Sequence, residues 1–264
     1  MDEYFGTPDQ QAIQRRSEAL WTLLKDDPRY CSYGRTVTLA TYDPADLDRH
    51  IALTRAQGAT PGYGVPTAAL PALRAGLEAA GLTVDVFREW TASDFAAADR
   101  VLAERQLPHD LTLREIGPDA APQDLRQVDA LTRGCGVLMP SGRFLRGEFG
   151  PACCLVAVDL MGRYVGATAT FGLFHRDNPR AAQAWWGMLA TAEDRRGAGI
   201  ALVLGAHSMR AARDRFAMAS VFTGVRKGNA ASEAICAHLG LAWQGDHFVV
   251  AADPVALAGG RLTA

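Results

Sequence analysis

Residues 189–201, LATAEDRRGAGIA, constrain this chain more than any other stretch. An apolar strand leads into a helix across a basic loop that carries Gly197 and Gly199. Glycine lets backbone N–H groups approach a ligand closely, and the first turn of the helix leaves N–H groups unpaired at the positive end of its dipole. Arg195 and Arg196 add positive charge beside that concavity. The order strand, glycine loop, helix therefore predicts a phosphate or diphosphate site. The bland alternative is a turn in front of a surface helix.

The 264 residues suffice for one large core or two smaller ones. Apolar residues make up 48% and charged residues 21%, the balance of a globular protein. A net charge of −2 argues against a broad basic face for DNA or RNA. Cys31, Cys135, Cys153, Cys154 and Cys236 are scattered and without CxxC spacing, so neither a disulfide framework nor a metal site is expected. The acidic, polar start MDEYFGTPDQQ is unlike a secretory signal, and residues 200–209 form the strongest apolar run, broken by Gly205 and His207. The expectation is a soluble, cytoplasmic protein with no membrane partner.

Ile13, Leu20 and Leu24 predict a helix over residues 10–25, and TVTLA at 36–40 reads as a strand. Asp43 and Pro44 look like an N-cap and first turn for a helix through Leu47 and Ile51. PGYGVP at 61–66 reads as a loop. Leu70, Leu73 and Leu77 mark a helix ended by Gly81, before a strand at 82–86. No internal repeat is visible. Residues 92–110 read as a connection, dividing a smaller α/β unit (1–108) from a second unit (109–264).

In the second unit, Leu111, Leu113 and Ile116 precede a helix through Leu125, Val128 and Leu131, and residues 141–149 are short and helical at most. Strands at 153–159 and 164–174 form an antiparallel hairpin. A strand at 184–190 contains Gly187, which marks either a bulge or a packing requirement. Ile200, Val203, Leu204 and Ala211 face the core from the next helix. A strand at 221–225, a helix at 230–239 and a strand at 248–251 complete a mixed, mostly antiparallel sheet flanked by helices.

This arrangement resembles the GNAT superfamily of acyl-CoA-dependent N-acyltransferases. Arg196-Gly197-Ala198-Gly199-Ile200-Ala201 fits that family's Q/R-x-x-G-x-G/A pattern at every defined position. Residues 229–241, NAASEAICAHLGL, are similar to its N-x-x-[AS]-x-x-L-Y-x-K-L-G-F motif. The resemblance implies acetyl-CoA, or another acyl-CoA, as cosubstrate, with no metal, and a primary amine as acceptor. It implies that the backbone of Leu189, Ala190 and Thr191 holds the pantetheine arm. Arg195 to Ala201 would hold the diphosphate, and Asn229 would lie near the pantetheine or adenosine end. A backbone N–H at Leu189 or a neighbour would polarise the thioester carbonyl.

The chain departs from that pattern where the family often places a tyrosine as general acid. Cys236 stands there, either as a proton donor or as a small buried apolar residue. No carboxylate lies in the strand before the glycine loop. Glu193 and Asp194 read as helix N-terminal charges, while Glu148, His175 and His207 are bases by residue type only. Trp185, Trp186, Phe171 and Phe174 serve the core or line an acceptor pocket. Arg143, Arg146 and Glu148 fall where the family contacts its acceptor, or form a solvated helix face.

Two other classes compete. A dinucleotide-binding oxidoreductase would need a third glycine at position 202, which is Leu202, and an acid in 221–227, which is absent. A non-catalytic CoA-ester-binding module would explain the missing tyrosine and carboxylate. For the N-terminal unit, a degenerate half of the same fold, an acceptor lid and a homo-oligomer contact all remain open.

Overall fold

The computed structural model describes residues 3–263. Its centre is one ten-stranded sheet. The N-terminal part runs α1 (Pro8–Leu24), β1 (Tyr30–Ser32), β2 (Val37–Leu39), α2 (Leu47–Gln57), β3 (Ala59–Pro66), α3 (Leu70–Ala79), β4 (Thr83–Ala92) and α4 (Ala96–Glu104). The remainder runs β5 (Leu111–Ile116), α5 (Pro122–Gly134), α6 (Gly142–Leu145), β6 (Ala152–Asp159), β7 (Tyr164–Gly172), β8 (Gln183–Thr191), α7 (Ile200–Phe216), β9 (Ser220–Val225), α8 (Ala230–His238) and β10 (Ala242–Ala252). Across the sheet the order is β1-β2-β3-β10-β4-β9-β8-β7-β6-β5. No helix among the described residues is long and apolar enough to cross a membrane.

Local sequence explains most of these elements. Thr7 caps α1 with Pro8 in its first turn, and Gln10 answers Thr7 in a capping box. Asp43 and Pro44 open a 3-10 turn ahead of α2, which ends on Gly58 at φ +108°. The residues 61–66 expected to form a loop are instead the strand β3, paired with β10 from Pro66↔Asp246 to Ala59↔Ala252. Its glycines have specific tasks. Gly62 leaves room for the His50 ring, and Gly64, at φ +67°, donates its N–H to the Glu89 carboxylate at 2.8 Å. The expected connection at 92–110 also contains structure: Ala98 and Val101 of α4 pack against Met209 and Ala212 of α7.

The sequence shows no repeat, yet the topology does. The run β2-α2-β3-α3-β4 is matched by β8-α7-β9-α8-β10, and each run begins with a parallel strand pair. Each then gives its third strand away. β10 pairs with β3 and β4, and β4 pairs with β9 and β10. The sheet is therefore continuous through the boundary at residue 108.

Beneath this exchange lies a buried ion pair. Arg180 Nη2 sits 2.6 Å from Glu89 Oε1, with the guanidinium over the rings of Tyr63, Phe174 and Phe222. Burial holds the Glu89 carboxyl above the ordinary glutamate value, although Arg180 and the Gly64 N–H pull it down. Removing Arg180 leaves a folded state that binds the Glu89 proton more tightly than the unfolded chain does. Stability then falls as pH rises from the ordinary glutamate value through the raised one. Arg180→Met is expected to cost about 3–5 kcal/mol at pH 8 and much less at pH 5. Urea unfolding at the two pH values checks this, and an equal loss at both would show that Glu89 is not the group left exposed to the change.

Candidate active site

β8 and β9 are parallel neighbours only at Gln183↔Ser220, Ala184↔Val221 and Trp185↔Phe222. Beyond that point they part. The cause is on β8, where the register against β7 shifts between Ala167 and Ala169 and Met188 adopts φ +56°. A non-glycine residue at positive φ is uncommon and marks a bulge here. Thr168 Oγ1 donates to the Gly187 carbonyl at 3.2 Å, and Trp186 Nε1 donates to Ser208 Oγ at 2.9 Å, tying the bulge to β7 and α7. The backbone of residues 187–191 on the β9 side is thus left outside the ladder.

Two open volumes meet at this gap. A groove of about 470 Å³ is lined by Leu189, Ala190, Thr191, Arg195, Arg196, Gly197, Gly199, Ile200 and Ala201. Gly197 and Gly199 stand at φ +79° and +76° and lead into α7. Arg195 is held by Asp110 at 2.7 Å, whereas Arg196 enters no ion pair among the described residues. Ala198 is exposed at the loop tip. The residues that the sequence suggested for a diphosphate are therefore brought together, with Ala198 outside the lining.

The second volume is a cavity of about 230 Å³ on the far side of the gap. Cys135, Leu189 and Ser232 line both, so the groove opens into the cavity. Asn229 stands at its edge and caps α8 by accepting from the Ser232 N–H at 3.2 Å. Trp185, Gly187 and Met188 form one wall, and Phe87, Phe248, Tyr33 and Arg35 come from elsewhere. Among the described residues no carboxylate and no imidazole lines this cavity.

Several expected site residues lie elsewhere. Arg143 pairs with Glu18 and with Glu148, and Arg146 pairs with Glu3 and donates to the Ala120 carbonyl at 2.9 Å. None of Arg143, Arg146 and Glu148 lines the cavity, because α6 spends its charges on tying down α1 and the chain before it. Asp194 pairs with Arg163 at 2.7 Å on the surface, and Glu193 shares its 3-10 turn. His175 accepts from the Asp177 N–H in a loop, and half-burial with Arg210 nearby pushes His207 below its ordinary value. Neither histidine reaches the cavity. Trp186 and Phe171 are core residues, Phe174 packs under Arg180, and Trp185 reaches the cavity wall while stacking on Phe171.

Cys236 does line the cavity, but burial pushes its thiol up to about 12. It stays protonated at neutral pH. Giving that proton to a thiolate of ordinary basicity is unfavourable. Cys236→Ala is accordingly expected to change turnover by less than about threefold, well below the 10²–10⁴ effect of losing a general acid. Steady-state CoA release measures this, and a hundredfold drop would restore an acid role to the thiol.

Tyr33, Arg35, Cys135 and Thr223 were not legible as site residues. Tyr33 and Arg35 precede β2 by sequence positions that carry no motif, and only the fold brings them to β8.

No protein-family model matches the chain and no curated protein matches it. Solved structures do. A GCN5-related N-acetyltransferase from Kribbella flavida is similar over 91% of this chain and 95% of its own, with 14% identity and a TM-score of 0.55. A tandem GNAT protein from the clavulanic acid biosynthesis pathway matches 82% of this chain and 74% of its own at 16% identity and TM-score 0.53. A GCN5-related N-acetyltransferase-like protein from Streptococcus suis 89/1591 covers 85% and 82% at 15% identity and TM-score 0.52. The fold is that of the GCN5-related N-acetyltransferases.

Proposed function

We propose that this protein is an acyl-CoA-dependent N-acyltransferase that takes acetyl-CoA as donor and passes the acetyl group directly to a small primary amine. The observation that carries the reading is the opening of the glycine-loop groove into the cavity through the parted β8 and β9. Acetyl-CoA supplies an activated carbonyl on a thiol leaving group. The loop at Arg196–Ala201 presents backbone N–H groups and charge to the diphosphate, and the unladdered backbone of β8 is available to the pantetheine amides. A β8 N–H near Leu189 stabilises negative charge developing on the carbonyl oxygen. The cavity holds the amine against the same strand, so most of the rate gain comes from placement. With no carboxylate or imidazole among the described wall residues, water takes the proton from the incoming ammonium, and the cationic surroundings favour the neutral amine. A volume of about 230 Å³ favours a small acceptor over a polypeptide, being below the usual ~300–1,000 Å³ of ligand pockets.

The same lack of a carboxylate and an imidazole among the described lining residues favours one second reading, a CoA-ester sensor that binds without turnover. Titration with acetyl-CoA and a CoA-release screen across amine classes separate the two. Saturable binding with release for a preferred amine supports the transferase. Binding without release supports the sensor, and absence of binding removes both. A doubly wound dinucleotide site is incompatible with the antiparallel β6, β7 and β8.

A further inference from the structure

The β1–β2 hairpin carries its tip inward. Tyr33 is 2% exposed, Arg35 5% and Thr36 fully buried. Gly34, at φ +73°, makes the turn, and its carbonyl accepts from the Ser141 N–H at 2.9 Å, which fixes the tip under the sheet. The Arg35 guanidinium is thereby pressed against two aromatic faces, 5.0 Å from the Tyr33 ring centroid and 5.5 Å from that of Trp185. It borders the cavity into which the groove opens.

Among the described residues Arg35 has no counter-ion. It enters no ion pair among the described residues, and its Nε and Nη2 are buried without a hydrogen-bond partner. Glu89, a buried carboxylate in the same part of the fold, is already committed to Arg180 and to the Gly64 N–H. Ring contacts repay only part of the cost of burying a lone cation. Nε and Nη2 also form one edge of the guanidinium, the pair of parallel donors that takes both oxygens of a carboxylate.

We infer that Arg35 is the acceptor's carboxylate anchor, so that the amine substrate is an amino acid whose amine and carboxylate lie a few bonds apart. This rests on the acyltransferase reading of the same cavity. The carboxylate docks on Arg35, which packs on the Trp185 ring beside Gly187, so an amine a few bonds away is held near the bulge at Gly187–Met188. In the transfer the amine nitrogen forms the new bond to the acetyl carbon, the carbon–sulfur bond breaks, and sulfur leaves with the electron pair. The proton lost by the amine goes to water, and the thiolate regains one from solvent. The N-terminal unit thus contributes the specificity residue of a site whose donor groove belongs to the C-terminal part.

The test compares CoA release from acetyl-CoA with the twenty proteinogenic amino acids, β-alanine and 4-aminobutyrate, each against its own primary amide. Wild type, Arg35→Met and Arg35→Lys are assayed together, with thermal unfolding to confirm that each folds. At least one acid is expected to exceed its amide by about 100-fold in kcat/KM, since a site built for a polar group rejects analogues that leave it unpaired. In Arg35→Met the acid-to-amide ratio should fall to near one, and Arg35→Lys should lie between, because an ammonium lacks the planar fork. Amides used as well as acids, or a ratio indifferent to Arg35→Met, overturn the assignment. A carboxylate preference that follows succinyl-CoA over acetyl-CoA instead of the acceptor also overturns it, since Arg35 would then read the acyl group. Should no amine be acetylated, calorimetric titration of the same acids into the CoA-loaded protein decides. Acid binding lost in Arg35→Met upholds the anchor while the transferase reading fails, and no acid binding in wild type removes the anchor.

Discussion

Replacing Gly199 with glutamate should weaken acetyl-CoA binding by at least about 100-fold, the scale of a charge-assisted anchor turned into repulsion, and abolish CoA release at ordinary donor concentrations. Two effects act together. Gly199 stands at φ +76°, where an L side chain adds roughly 1–2 kcal/mol of strain. The new carboxylate also enters the diphosphate concavity beside Arg196. A Cβ at this position meets nothing within 4 Å, so the fold should survive. Gly199→Ala carries the strain without the charge and should fall between the two. Calorimetric titration with acetyl-CoA, together with thermal unfolding of each variant, checks the prediction. Unchanged affinity in the glutamate variant would place the donor site elsewhere.

The second large effect concerns the exchanged strands. Residues 109–264 expressed alone are expected to give no soluble, cooperatively folding protein. β4 pairs along Arg88–Ala92 with Val225–Val221 of β9, and from Thr83 to Thr91 with β10. Deleting it leaves two interior edges open, each a template for aggregation. Co-expression with residues 1–108 should restore a soluble complex. Soluble yield, circular dichroism and gel filtration of the two preparations decide the matter. A monomeric, cooperatively unfolding fragment would show that β9 and β10 close on each other without β4.

The glycine-loop groove was legible in the sequence because its geometry is local. Gly197, Gly199 and Arg196 act where they stand, and the strand before them and helix after them are set by short-range apolar pattern. The cavity it opens into was not legible, for the opposite reason. Its wall joins Trp185, Phe87, Phe248 and the buried tip at Arg35, which are neighbours only through sheet order. Residues 61–66 misled because proline and glycine usually punctuate loops. Here the glycines admit His50 and Glu89 to a strand that β10 completes. Residues 141–149 misled differently: Arg143 and Arg146 are tied to Glu18 and Glu3, which residue type alone does not distinguish from substrate contacts.

The strand exchange also fixes when the protein can become native during synthesis. β3 waits for β10, which leaves the ribosome after the other described strands, so the early part of the polypeptide emerges with a gap that only a later part fills. Contacts of such long sequence separation form slowly and leave unpaired edges exposed meanwhile. The cavity does not exist in final form before that closing step, since Phe248 of β10 walls it. Nascent chains stalled short of residue 242 should therefore need a chaperone to stay in solution.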